Sequence, residues 1–134
     1  MKTENLKESI DFLKIIVRLY KQKSIDLVNS TIFFYVEESE LSIVEKEYEH
    51  KVKTVNSIIN KLQEIKLGKS QIFNDAESSM IFSSISFYKI NNDHKINSLN
   101  ETKANMSVPK EKILKEYDYE ISSVNELLKY LKIN

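Results

Sequence analysis

Glu47 and His50, in the run Glu47-Tyr48-Glu49-His50, are the residues whose types and spacing come nearest to a reactive pair. Positions three apart share one face of a helix, and carboxylate-bridged di-metal bundles draw ligands from a Glu-x-x-His of this kind. Such a centre needs a second Glu-x-x-His and two further inward carboxylates. The only other histidine, His94, follows Asn92-Asp93 and lacks that spacing. His50 also stands beside Lys51, off the apolar seam that passes through Tyr48 and Val52. The pair reads as solvated surface, and neither a metal nor a cofactor is expected.

Other chemistries need residues that this chain lacks. It has no Cys, so thiolate nucleophiles and thiolate metal sites are out. Neither histidine has a serine and a carboxylate arranged around it as nucleophilic catalysis requires. Arg18, the only arginine, has no histidine near it in sequence, so the Arg and His pairing of helical ribonuclease bundles is missing. A single Gly cannot build a phosphate-cradling loop. The expectation is a protein that is not an enzyme.

Charge narrows the partners. Lys+Arg and Asp+Glu both number 20, a formal net charge of zero. Nucleic-acid binding rests on neutralised phosphates, so no nucleic-acid partner is expected. The longest apolar runs, Ile15-Ile16-Val17 and Ile32-Phe33-Phe34-Tyr35-Val36, fall far short of the roughly 20 residues that span a bilayer. The start, Met1-Lys2-Thr3-Glu4-Asn5, leads straight into amphipathic sequence rather than a signal peptide. No membrane partner and a cytoplasmic location are expected.

The elements that position these residues are helical. One Gly and one Pro suit long uninterrupted helices and not turn-rich β folds. Leu6, Ile10, Leu13, Val17, Tyr20, Ser24, Leu27 and Thr31 recur at spacings of four and three, the seam of a helix packed on other helices. Phe12, Ile15, Ile16 and Leu19 add a second stripe, which makes this helix central in its bundle or buried by a partner. A helix is predicted over 4–37, although Ile32 to Val36 has strand-like propensity. A second, over 40–67, carries Leu41, Val44, Tyr48, Val52, Val55, Ile59, Leu62 and Ile65 on one face. Ser42-Ile43-Val44-Glu45 fits a capping box, and Gly68 is placed for a C-cap.

Residues 72–90 fit a third helix, opened by an Asn74-Asp75-Ala76-Glu77 capping box, with Phe73, Ala76, Met80, Ser84 and Phe87 at helical spacing. Ile81, Ser83, Ile85 and Phe87 also alternate as a strand would; the helix is preferred. Residues 91–107 are polar and without period, and read as a flexible connection. A fourth helix is predicted over 108–132, with Pro109 in its first turn and Ile113, Tyr117, Ile121, Val124, Leu128 and Leu131 on its apolar face.

The fold expected is therefore all-α: one domain over 1–134, a three- to four-helix antiparallel bundle of long amphipathic helices. Surplus apolar and acidic surface suggests what it does. Phe33, Phe34 and Tyr35 point three ways round a helix, so one side cannot bury all three. With Phe12, Ile16 and Leu19, and with the acidic Glu37, Glu38 and Glu40, they form the expected partner-binding set. The function expected is a small non-enzymatic helical protein that binds and modulates another protein. Inhibitors, immunity proteins and adaptors, including those of phages and mobile elements, are of this kind, and no residue motif selects among them. A homodimer is also considered; the alternative functions are a self-assembling structural bundle and, ranked below it, a metal-carboxylate helical bundle enzyme using Glu47 and His50.

Overall fold

The computed structural model describes the backbone of residues 3–33, 38–101 and 110–133, and the side-chain surroundings of residues 4–26, 42–94 and 111–133. Four helices account for the described chain: α1 (Thr3–Phe33), α2 (Glu38–Lys66), α3 (Asp75–Glu101) and α4 (Lys110–Tyr130). No strand occurs among the described residues, so residues 80–90 are helix. One serine of α3 puts its hydroxyl to use within the helix: Ser84 Oγ donates to the Met80 carbonyl at 2.7 Å, and Ser84 is fully buried.

Several boundaries differ from expectation: α3 opens at Asp75 rather than 72 and α4 ends at Tyr130 rather than 132, and two further differences have a plain physical reason. α3 continues to Glu101, where the sequence suggested an end at 90 and a flexible connection from 91. Asn, Lys and Ser there give no apolar period, but no Gly or Pro interrupts the backbone, and propagating a helix costs far less than starting one. α2 begins at Glu38, so Ser42 lies inside the helix rather than capping it. An acid at that start suits the positive end of the helix dipole.

Cross-helix contacts fix the directions. Lys66 Nζ lies 2.7 Å from Asp11 Oδ1, Lys14 Nζ donates to Gln63 Oε1, and Lys21 Nζ reaches Asn56 Oδ1 at 3.3 Å. Rising numbers on α1 meet falling numbers on α2, so the two are antiparallel. Ser57 and Lys61 of α2 both meet Glu77 of α3. Tyr88 meets Glu120, while Phe82 lies beside Leu128 and Ile133. Each helix therefore runs against the one before it. α1 packs on all three others, whereas α2 and α4 do not pack on each other among the described residues. The central position read from the two-sided pattern of α1 is the position it holds.

The core is built from Ile10, Leu13, Ile16 and Val17 of α1, Val55, Ile58, Leu62 and Ile65 of α2, Ile81 and Ile85 of α3, and Val124, Leu127 and Leu128 of α4. Fully burying one such side chain is worth about 1.5–3 kcal/mol. Ile58 rather than Ile59 points fully inward, and on α3 the inward line runs through Glu77, Ile81 and Ser84 rather than through Ala76, which is exposed.

Both described helix ends that close on this core do so by the same device. Gly68 has φ +93°, its N–H donates to the Ile65 carbonyl at 3.0 Å, and Lys69 N–H donates to the Glu64 carbonyl at 3.0 Å. That is a Schellman closure of α2. After α4, Lys132 has φ 55°, Lys132 N–H donates to the Lys129 carbonyl at 3.2 Å, and Ile133 N–H donates to the Leu128 carbonyl at 3.0 Å. The turn folds Ile133 back into the core, where it is buried.

Candidate protein-binding surface

Phe12, Ile15 and Leu19 follow one another along α1 at spacings of three and four, which puts them on one side of the helix. Core packing has used the opposite side. Ile15 is 52% and Leu19 43% exposed, and Phe12 is half-buried. Large apolar side chains in a row on the most buried helix of a bundle need a reason to face water, because covering them would be favourable.

Tyr119 of α4 completes the patch. Its ring stands edge-on to Phe12, with centroids 6.0 Å apart and planes at 89°. Its hydroxyl donates to Glu8 Oε2 at 2.8 Å. That bond, followed by burial and by the charge of Glu8, raises the phenol above its ordinary pKa, so the hydroxyl stays a donor at neutral pH. Held at both ends and still 51% exposed, Tyr119 presents a fixed aromatic surface with little rotamer freedom left to lose. Around the patch lie the exposed charges of Glu8, Asp11 and Arg18. An apolar centre with a charged rim is the anatomy of a protein interface.

The residues read from the sequence as partner-binding divide into three groups. Phe12 and Leu19 lie on this surface. Ile16 does not: it is 2% exposed and packs in the core, because it sits one residue round the helix from Ile15, on the side turned inward. Phe33, Phe34, Tyr35, Glu37, Glu38 and Glu40 lie outside the residues whose side chains are described. Tyr119 was not anticipated; its position off the apolar seam of α4 was the available signal. Glu47 and His50 are both exposed on α2. Among the described residues no group of three or more His, Asp or Glu side chains is placed to hold a metal ion. No described helix is long and apolar enough to cross a membrane.

No protein-family model matches the chain, and neither a curated protein nor a solved structure similar to it was found. The fold defines a class, the antiparallel four-helix bundle, and that class hosts many unrelated functions.

Proposed function

We propose that this chain is a small non-enzymatic helical module that binds another protein, of the inhibitor, immunity or adaptor type, through the outer face of α1. The observation that carries the reading is the exposed Ile15 and Leu19 on the same side of α1 as Phe12, whose ring, with Glu8, holds the exposed Tyr119. Aromatic and large aliphatic side chains grouped this way serve as anchors at interface centres, where a few residues supply most of the affinity. The partner surface that fits is an apolar groove or helix face with a rim able to meet both carboxylates and Arg18.

The test is capture from the native host by the tagged protein, comparing the native chain with the Ile15→Asp/Leu19→Asp double variant. The reading expects one stoichiometric partner on the native chain and its loss from the variant. Equal retention by both chains would remove the α1 face from consideration.

A further inference from the structure

The charges bordering the Ile15 and Leu19 stripe of α1 are unevenly satisfied. The acids are taken: Glu8 accepts from the Tyr119 hydroxyl at 2.8 Å, Asp11 from Lys66 Nζ at 2.7 Å, and Asp26 from Gln22 Nε2 at 3.1 Å. The cations are not. Lys14, Arg18 and Lys21 follow at spacings of four and three, on the flank of α1 that turns towards α2. There Lys14 Nζ donates to Gln63 Oε1 and Lys21 Nζ to Asn56 Oδ1 at 3.3 Å, so both lysines meet a neutral amide in place of a carboxylate. Arg18 lies between them, exposed, with no hydrogen bond or ion pair among the described residues. Lys66 adds a fourth positive charge, which Asp11 offsets. Lys14 and Arg18 stand four apart, a like-charge spacing that weakens a helix left to itself. The Lys14 ammonium is held below its ordinary pKa, first by burial and then by Lys66, with Arg18 adding to the shift and Asp11 opposing it.

We propose that the partner of the α1 face presents an acidic amphipathic helix, with its apolar stripe on Ile15 and Leu19 and its Asp or Glu side chains against Arg18 and Lys21. This rests on the assignment of α1 as the partner-binding face and adds the partner's charge. Charge complementarity selects the occupant. Carboxylates brought to this flank supply the counter-charge that α2 does not, and they relieve the repulsion among Lys14, Arg18 and Lys66. Arg18 is the fork suited to them, since a guanidinium pairs with a carboxylate through two parallel hydrogen bonds. Behind it, Lys14 is only 7% exposed, so its field is less screened than that of a fully solvated lysine. Ile15 and Leu19 stand one turn apart with Arg18 at their side, so one helix laid along α1 meets the apolar and the charged groups together. A phosphate backbone would satisfy Arg18 but leave Ile15 and Leu19 uncovered, and a chain of zero net charge has no wider field to draw nucleic acid.

Two synthetic amphipathic helices test it, identical in their leucine stripe, one flanked by glutamate and the other by lysine. Each is titrated by fluorescence anisotropy against the native chain, Arg18→Glu and Ile15→Asp/Leu19→Asp, with circular dichroism to confirm that all three chains fold and duplex DNA as a third probe. The native chain is expected to bind the glutamate helix about tenfold more tightly than the lysine helix, an advantage that shrinks as salt rises. Arg18→Glu should erase or reverse that order, and the double variant should bind neither helix. Binding of neither helix by the native chain, or equal binding of both, overturns the proposal. So does a glutamate preference that survives Arg18→Glu, or a DNA affinity above that for the glutamate helix. The two readings fail separately. A double variant that loses both helices, where the native chain binds them equally, removes the acidic partner alone. A double variant that binds as the native chain does removes the α1 face itself.

Discussion

Lys61 Nζ lies 2.6 Å from Glu77 Oε1, and that carboxylate is also the cap of its own helix. Glu77 Oε1 accepts from the Asn74 backbone N–H at 2.9 Å, while Asn74 Oδ1 accepts from Glu77 N–H at 2.8 Å, a complete capping box. Ser57 Oγ donates to Glu77 Oε2 at 2.6 Å, and Lys61 Nζ also donates to the Ile72 carbonyl at 2.7 Å. Glu77 is 1% exposed. The network thus ties α2, the connection after it and the start of α3 into one unit.

Burial by itself would raise the Glu77 pKa; the hydrogen bonds from Lys61, Ser57 and Asn74 and the charge of Lys61 outweigh it and hold the carboxyl below its usual range. A depressed folded-state pKa contributes stability that is present above the unfolded value and lost as pH falls through the folded one. The native chain should therefore lose stability in acid below the ordinary carboxylate range, and Glu77→Gln should flatten that part of the curve. Glu77→Ala should cost about 2 kcal/mol at neutral pH, since it removes a cap and leaves the Lys61 ammonium short of a partner. Denaturant titrations across pH measure both. An acid limb identical in native and Glu77→Gln chains would contradict this account.

The two positive-φ closures predict opposite effects. Gly68→Ala places a Cβ at φ +93°, with nothing within 4 Å to clash but a backbone conformation that side chains resist. It should destabilise by about 1 kcal/mol. Lys132 already bears that cost at φ 55°, so Lys132→Gly should be neutral to stabilising, by up to about 1 kcal/mol. Thermal melts of the two variants should move in different directions relative to native.

Tyr88 is pushed up to about 12 by burial, then by its hydrogen bond to Glu120 and the charge of that group. Its folded pKa lies above the unfolded value of about 10, so its contribution is intact below that value and disappears as pH rises through the folded one. Spectrophotometric titration of the tyrosines should show a late component near 12 that Tyr88→Phe removes. Its persistence in the variant would place it on another residue.

Neighbouring isoleucines on α1 should behave as opposites. Ile16→Ala should cost about 2–5 kcal/mol, because it opens a cavity in the core. Ile15→Asp, one residue earlier, should stay within about 0.5 kcal/mol of native, as surface substitutions do. Chemical denaturation of both separates the core side of α1 from the outward side that the functional reading needs.

Much of this architecture was legible because the chain repeats its signals. The seam of α1 predicted Ile10, Leu13 and Val17 as core, and Gly68 and the Asn74–Glu77 box marked ends that the backbone honours. Periodicity failed where the apolar pattern stopped: the Asn-rich stretch after Ile90 has nothing to bury, yet stays helical to Glu101. It also failed by one residue at Ile16, since a stripe on a helix with two apolar sides does not say which edge faces water. Tyr119 was out of reach for a different reason. Its role depends on Glu8 and Phe12, distant in sequence and brought to it only by the antiparallel packing of α1 and α4.

The most direct measurement captures partners from the host side by side on the native chain, Ile15→Asp/Leu19→Asp and Phe82→Glu, after circular dichroism has shown all three folded. The account predicts that the native chain and Phe82→Glu retain the same stoichiometric protein and that the α1 variant releases it. Retention of that protein by the α1 variant, or its release by Phe82→Glu alone, would contradict the assignment of α1 as the partner-binding face.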